Sequence, residues 1–424
     1  MKILVIGSGG REHALCWKLR QSPRVSEVYC APGNPGIAQV ADLVPIPADE
    51  IHQLADFASD LKIDLTVVGP ELSLTLGVVD EFSSRGLPIF GPRQNAAELE
   101  GSKVFSKEFM KRHNIPTADF GIAHDAEEAR TIAARFGFPV VLKADGLAAG
   151  KGVILPKNEA ELEEAIALFF DQRRFGAAGN RVVVEECLQG EEVSFTSLCD
   201  GRHPLPLATC KDYKRLLEDD EGPNTGGMGA HSPAGVFDKG FGAQVLEQIV
   251  RPTLAGMAME NREFVGVLYT GLMLTEDGPK VLEYNVRFGD PETQPLMMRM
   301  SSDLVPILEQ AAGGRFETLR MSFRKEHSAC IVLASKGYPE KPAKGDPIEG
   351  LDRVAGMDGV EVFHAGTASK GGQIVAAGGR VLNVCATGPQ LRDALKKAYT
   401  AAGQIQWANK TLRMDIGRRV LQGS

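Results

Sequence analysis

Paired cysteines are missing from this chain. Its seven cysteines, at positions 16, 30, 187, 199, 210, 330 and 385, are odd in number and form no CxxC pair. That argues against a disulfide framework or a zinc site. They read instead as small buried hydrophobes in a reducing cytosol. No apolar stretch approaches the ~18 residues of a membrane span. The opening Met1-Lys-Ile-Leu-Val-Ile-Gly7 carries too short an apolar run for a signal peptide. Positive charge is not in excess either. A net charge of −8 and a pI near 5.6 argue against a nucleic-acid-binding surface, although an acidic chain still has room for a local basic pocket that takes phosphate. Internal repeats and low-complexity segments are absent. The expectation is a cytoplasmic protein of small-molecule partners, bound to neither nucleic acid nor membrane, as a monomer or weak homodimer.

What is present is ordinary in bulk and informative in order. The 424 residues are 43% hydrophobic and 24% charged, the balance of a soluble globular protein. At ~150 residues per domain they suggest about three domains. Residues 1–100 alternate strand and helix, with buried-type strands at Ile3–Ile6 and Leu65–Val68 and a helix over Arg11–Arg20. That pattern predicts a doubly wound parallel sheet. Ser102 is placed to cap a helix running to about His113. Asp125 with Glu128, and Asn158 with Glu161, each form a capping-box pattern before an apolar stripe. With strands at Val140–Lys143, Gly152–Leu155 and Arg181–Glu186, residues 117–187 predict a lid of two helices on a small sheet. A hairpin follows over Val267–Thr275 and Pro279–Asn285, turning at Glu276-Asp-Gly278. A third unit starts near residue 325 and reads as a structural module that closes a cleft.

Two familiar phosphate-binding motifs are incomplete. Gly7-Ser-Gly9-Gly10-Arg11-Glu12-His13 follows a strand and opens a helix, a place that favours an anion. Glu12 stands where a dinucleotide fingerprint has its last glycine, so a packing turn explains the stretch as well. Lys143-Ala-Asp-Gly146-Leu-Ala-Ala-Gly150-Lys151-Gly152 lacks the pattern of a P-loop and lies between two strands. A glycine hairpin flanked by lysines suits a fold over triphosphate; a plain turn with surface lysines is the alternative. Gly222-Pro-Asn224-Thr-Gly226-Gly227-Met-Gly229 reads either as a mobile loop closing over a reactive intermediate or as an ordinary flexible loop.

The segment richest in chemistry is Lys280-Val-Leu-Glu283-Tyr-Asn285-Val-Arg287-Phe-Gly-Asp290-Pro-Glu292. On a strand Glu283 and Asn285 share a face. A carboxylate and an amide oxygen there make a hard ligand pair for Mg2+ (or Mn2+), completed by substrate phosphates. Arg287 adds a fork for carboxylate or phosphate. A polar strand face in a hairpin is the bland alternative.

Together these segments resemble the ATP-grasp superfamily, and within it the glycinamide ribonucleotide synthetase family. The match is carried by Gly9-Gly-Arg-Glu-His-Ala-Leu15, Ala31-Pro-Gly-Asn34-Pro-Gly36, Val68-Gly-Pro-Glu71, Phe90-Gly-Pro92 and Glu100-Gly-Ser-Lys103. Lys143–Gly152, Gly222–Gly229, Arg287–Pro295 and Phe363-His-Ala-Gly-Thr367 extend it over the whole chain. The resemblance implies a mixed α/β and α+β multidomain fold: a Rossmann-like domain over 1–101, an ATP-grasp domain over 102–324 with its mobile lid near 117–187, and a small α+β domain over 325–424. It implies ATP-dependent ligation of glycine to 5-phosphoribosylamine through glycyl phosphate, in purine biosynthesis.

By position, the resemblance assigns Lys103, Lys143 and the Gly146, Gly150, Lys151, Gly152 hairpin to ATP phosphates. It assigns Glu185, Glu186 and Leu188 to adenine and Glu192 to ribose. Glu283 and Asn285 take the metal, and Arg287 takes glycine or the acyl phosphate. The loop of Asn224, Gly226 and Gly227 shields the intermediate. Gly9, Gly10, Arg11, Glu12, Asn34, Glu71 and Asp290 meet phosphoribosylamine. One departure stands out: the strand before Glu283, Tyr269–Leu274, lacks the further metal-binding acid of many ATP-grasp ligases. The competing readings are another purine-pathway ATP-grasp ligase, a dinucleotide-binding oxidoreductase built on residues 1–100, and a nucleotide-binding regulator without turnover.

Overall fold

The structure is a computed structural model that describes residues 1–147, 152–172, 174, 176–235, 239–314, 316 and 320–422. Gly150 and Lys151 of the glycine hairpin lie outside the described residues.

The strands β1 (Lys2–Gly7), β2 (Glu27–Pro32), β3 (Asp42–Leu43), β4 (Leu65–Val68) and β5 (Ile89–Phe90) form one parallel sheet ordered β3-β2-β1-β4-β5. Between and after them run α1 (Gly10–Arg20), α2 (Ile51–Asp60), α3 (Glu71–Thr75), α4 (Val78–Ser84) and α5 (Gln94–Gly101). Ile3–Ile6 and all of β4 are buried, as central parallel strands covered on both faces must be. Strand order reverses between β1 and β4. A ligand crevice opens at such a switch point, beyond the strand C-termini. Gly9 and Glu71 stand there.

Next comes α6 (Lys103–Arg112). The Ser102 hydroxyl caps it, accepting from the Phe105 N–H at 3.0 Å. The lid then follows as β6 (Phe120–Ala123), α7 (Ala126–Phe136), β7 (Val140–Ala144), β8 (Val153–Ile154), α8 (Glu159–Ile166) and β9 (Val182–Glu186). Its strands pair antiparallel in the order β6-β9-β7-β8. The lid has a core of its own, in which the two predicted stripes bring Ala129, Ala133, Leu162, Ile166 and Phe169 against Val140, Leu142, Val182 and Val184. The capping differs in one detail. Asp125 and Asn158 do accept from Glu128 and Glu161 N–H groups. The two glutamates, however, reach the N–H of His124 and Lys157, one residue before each cap.

The centre holds β10 (Glu191–Asp200), β11 (Pro204–Pro206), β12 (Lys211–Asp212), β13 (Gly229–Ser232), α9 (Lys239–Val245) and α10 (Arg251–Met259). The hairpin β14 (Val265–Thr275) and β15 (Gly278–Asn285) follows, then α11 (Thr293–Arg299) and α12 (Leu304–Ala312). One antiparallel sheet runs β11-β10-β14-β15. The chain ends with β16 (His327–Ser335), α13 (Leu351–Val354), β17 (Val360–His364), β18 (Thr367–Lys370), β19 (Gln373–Ala376), β20 (Arg380–Gly388), α14 (Leu391–Gln404), β21 (Lys410–Thr411) and α15 (Arg418–Gln422).

The C-terminal sheet is not made from C-terminal residues alone. Its order is β12-β13-β16-β20-β17, with β21 also on β16, so residues of the Gly-rich 211–235 stretch supply two of its strands. The loop expected over Gly222–Gly229 lies between these two strands, and of its residues only Gly229 enters one of them. Among the described residues no helix is long and apolar enough to cross a membrane, and all seven cysteines are free thiols.

The separate lid core generates a prediction. Phe169→Ala should cost about 3–5 kcal/mol locally, the range for truncating a buried aromatic. Hydrogen exchange should then accelerate in β7 and β9 while β1 and β4 keep their protection. Equal acceleration in β1 would show that the lid does not unfold on its own.

Candidate active site

Glycines at the end of β1 bring the first carboxylate into place. Glu12 folds back over the turn, where its Oε2 accepts from the Gly9 N–H at 2.6 Å and its Oε1 from Arg11 Nε at 2.6 Å. A Cβ on Gly7, Gly9 or Gly69 would stand 2.6, 2.7 or 1.9 Å from that side chain. The three glycines are thus the cradle of Glu12. Its carboxylate fills the anion position at the start of α1, and this explains why the dinucleotide fingerprint is broken at that residue. Arg11 continues to the Phe288 carbonyl at 3.0 Å. Gly10 lies under the Asn383 and Gln294 amides, with no room for a Cβ.

Asn34, expected at the substrate, is committed elsewhere. Its amide donates to the carbonyls of Ser8 at 2.8 Å and His364 at 2.9 Å, and its oxygen accepts from the Gly36 and Ile37 N–H groups. It ties the first turn to β17. His13 is a buried core histidine. Burial, with His364 beside it, lowers its pKa to about 3, and its neutral Nδ1 accepts from the His364 N–H.

The strand expected to hold metal and anion owes its aim to a bulge. The β14–β15 register shifts between Gly271 and Leu272, so that Leu272 faces Val281 while Gly271 faces Glu283. Val281 lies in the core, and so do Tyr284 and Val286. The extra residue, Leu282, exchanges the two faces, and Glu283 and Asn285 emerge together on the cleft side. Glu283 receives Lys103 at 3.0 Å on Oε2 and Lys214 at 3.4 Å on Oε1. Burial alone would raise its pKa. Lys103, Lys214 and Lys143 outweigh burial and hold it well below the ordinary range. Tyr269, across from Asn285, bonds Ser194 at 2.6 Å.

Arg287 is the hub. It pairs with Glu71 at 3.1 Å and Glu100 at 3.1 Å, donates to Asn285 Oδ1 at 3.2 Å, and reaches the Phe288 carbonyl at 3.3 Å. Glu71, expected at phosphoribosylamine, is therefore an ion-pair partner of Arg287. Glu100 meanwhile accepts the Val286 N–H at 2.7 Å. Asp290 takes Gln294 at 2.6 Å and Arg380 at 3.2 Å.

On the lid side, Lys143 bonds both Glu185 and the Leu282 carbonyl. Glu185 is 2% exposed and pairs with Lys107 at 2.6 Å as well. Its side chain is thus committed to two lysines, so only its backbone is left for an adenine edge. Glu186 accepts the Asp119 N–H at 3.0 Å, Leu188 is half-buried, and Glu192 is exposed at the start of β10. Gly146 has φ +152, and a Cβ there would press on Ala178 at 2.8 Å. Gly152 lends its carbonyl to the Ala144 N–H at 2.8 Å. Asp145 fastens this hairpin to the start of α6, through Ser102 at 2.7 Å and the Val104 N–H at 3.1 Å.

Several site residues escape sequence reasoning. Lys107 is a single charge that gives no motif signal, and Glu100 lies in the Glu100–Lys103 block of the resemblance without a role assigned to it. Lys214 belongs to a mixed charge cluster that usually marks a solvated face. Burial would lower its pKa, but Tyr269, Glu283, Glu192 and Asp212 raise it well above its ordinary value. Asp212 Oδ1 is buried without a hydrogen-bond partner among the described residues. Burial and nearby Glu292 push its pKa well up. Arg380 and Tyr338 come from the unit expected to be structural, yet both reach the Gly222–Gly229 loop.

The lysine-flanked carboxylate has a pH signature. Burial alone would raise the Glu185 pKa, but Lys143 and Lys107 hold it below its ordinary value. A depressed carboxylate stabilises fully above its unfolded pKa of about 4.3 and loses that contribution as pH falls through the folded value. Glu185→Gln should cost about 3–5 kcal/mol at pH 7, because two buried lysines lose their partner. Denaturant midpoints of the two proteins should stay apart from pH 7 to about 5 and converge below about 4. A gap that is flat to pH 2 would contradict the assignment.

Comparison with known proteins follows the same three-part division. Residues 1–100, 101–293 and 328–419 match the N, ATP-grasp (A) and C domain models of phosphoribosylglycinamide synthetase. The chain is 48% identical over 422 residues to a phosphoribosylamine–glycine ligase of Brucella melitensis, covering 100% of this chain and 99% of that protein. The crystal structure of phosphoribosylamine–glycine ligase from Thermotoga maritima superposes with a TM-score of 0.85 at 35% identity, covering 98% of this chain and 100% of the other. N5-carboxyaminoimidazole ribonucleotide synthetase from the same organism shares the fold, with a TM-score of 0.62 at 19% identity over 96% and 99% of the two chains. This chain belongs to the phosphoribosylglycinamide synthetase family.

Proposed function

We propose that the cleft between β15, the lid and the end of β1 carries the reaction of this family. The chain is an ATP-dependent carbon–nitrogen ligase of purine biosynthesis. It joins glycine to 5-phosphoribosylamine, giving glycinamide ribonucleotide, ADP and phosphate. The observation that carries the assignment of roles is the single cleft face on which Glu283, Asn285 and Arg287 meet Lys103 and Lys214.

A glycine carboxylate is a poor acyl donor. Attack by one of its oxygens on the γ-phosphorus of ATP releases ADP and leaves glycyl phosphate, whose phosphate departs easily. The amine of phosphoribosylamine then attacks the acyl carbon, the bond to phosphate breaks, and the amine gives up a proton. Positioning and charge neutralisation are what the protein has to supply. Lys103 stands at the phosphates. Lys143 meets them from an anchored position, with Gly146 and Gly152 close to it in the chain. Glu186, Leu188 and the Glu185 backbone frame adenine, and Glu192 takes ribose. Arg287 faces glycine and the acyl phosphate. Gly9, Gly10, Arg11 and Asp290 line the phosphoribosylamine side, with Glu12, Asn34 and Glu71 shaping it from behind.

ATP is the co-substrate and a divalent cation the cofactor. The donor set fits Mg2+ or Mn2+: two hard oxygens side by side, at a spot now served by lysine and arginine cations. Among the described residues no three acids, histidines or cysteines converge, so Glu283 and Asn285 would share the ion with phosphate oxygens and water. When bound, the ion neutralises phosphate charge. The oxidoreductase alternative fails physically at Glu12, whose carboxylate occupies the place a pyrophosphate would need.

ADP release should require both glycine and freshly made phosphoribosylamine for steady turnover. Release indifferent to glycine would sink the reading. Glu283→Ala should lower turnover by about a hundredfold or more while circular dichroism reports an intact fold; undiminished activity would remove Glu283 from the metal site.

A further inference from the structure

The loop Asn224–Gly229 is strapped down by the C-terminal unit, one bond at each polar group of Gly226. The Gly226 N–H donates to the Tyr338 hydroxyl at 2.9 Å. The Gly226 carbonyl accepts from Arg380 Nη1 at 2.5 Å. The same guanidinium also takes the Asp290 carbonyl at 2.5 Å and the Asp290 carboxylate at 3.2 Å. One side chain thus fixes the glycine loop to the segment that carries Arg287. The fit is close. A Cβ on Gly226 would lie 2.9–3.1 Å from the guanidinium atoms. At Gly227, with φ +109, a Cβ would lie 2.4 Å from Pro291 and 2.5 Å from Asp212. Only glycine at both positions lets the loop lie flat between Arg380, Pro291 and Asp212. Beneath it Thr225 donates both its N–H and its hydroxyl to the Lys214 carbonyl, each at 2.8 Å. With Lys103, Lys214 contacts Glu283 through its side chain. The loop is thus tied to the segment whose Lys214 side chain reaches Glu283, and its outer edge is held from β20 and the turn after β16.

We infer that Arg380 and Tyr338 are positioning residues that keep this loop closed over the acyl phosphate and so couple ATP use to amide formation. The inference rests on the ligase reading and adds to it a task for the C-terminal unit. With the strap released, water reaches the intermediate. Its oxygen attacks the acyl carbon, the bond to phosphate breaks, and glycine and inorganic phosphate return. The net reaction is ATP plus water to ADP plus phosphate, consuming no glycine although glycine is required for it. Arginine's rigid fork is what reaches both carbonyls and the carboxylate at once, and lysine cannot reproduce it.

The test measures ADP and glycinamide ribonucleotide formed per unit time in the same reaction. The wild type should give them in equal amounts. Arg380→Gln should raise the ratio of ADP to product several-fold, Arg380→Lys less, and Tyr338→Phe, which deletes one hydroxyl, measurably. In each variant the surplus ADP should disappear when glycine is omitted. A ratio that stays at one in Arg380→Gln and Tyr338→Phe, even with a lowered kcat, overturns the coupling role and leaves Arg380 a structural residue. If Arg380→Gln does not fold, Tyr338→Phe alone decides by the same ratio. Wild-type ADP release that ignores glycine would fail the ligase reading instead, which separates the two failures.

Discussion

A half-buried guanidinium holds the cleft together. Arg287 sits among Glu71, Glu100 and Asn285, groups from three separate stretches of chain. Unpaired, such a charge would be costly to bury; paired and hydrogen-bonded, it fixes its neighbours in one arrangement. Burial by itself would lower the Arg287 pKa, and the Glu100 and Glu71 carboxylates more than compensate. The N-terminal sheet, through α3 and α5, is thereby registered against β15.

The same rule recurs around the cleft. Glu185 is held by Lys143 and Lys107, Glu283 by Lys103 and Lys214, Asp290 by Arg380 and Gln294. Each ion pair joins segments well apart in sequence, so charge pairing adds to the apolar packing that assembles the cleft. Two apolar clusters do run across the boundaries between units. The C-terminal unit has a core that takes in Tyr213 of the central stretch, and the lid keeps a closed core of its own. A unit so built can move as a body while its hinge strands stay attached.

Much of the fold could be read from the chain because local signals agree with it. The β4 strand at Leu65–Val68, the Ser102 cap, the lid stripes and the Glu276-Asp277 turn all follow from period and capping chemistry. The 211–235 stretch could not be read in this way. Its strands are short and polar, and they exist only because β16 offers an edge to pair with. The same limit hid Arg380 and Tyr338. A lone arginine at a strand start gives no pattern until the sheet brings it beside Gly226.

Sequence by itself determined the chemistry available: a carboxylate, an amide and a guanidinium at alternating positions, lysines around a glycine turn, and glycines where backbone must approach closely. Those are properties of residue type and spacing. Tertiary structure decided which of them face the cleft. A single extra residue in β15 turned Glu283 and Asn285 away from the core and into the site. Long-range pairing turned Asn34, Glu71 and the Glu185 side chain into partners of other protein groups. The reason is physical: period-two alternation fixes relative faces along a strand, whereas the absolute face and the partner across space depend on the register and burial of segments that lie far away in the chain.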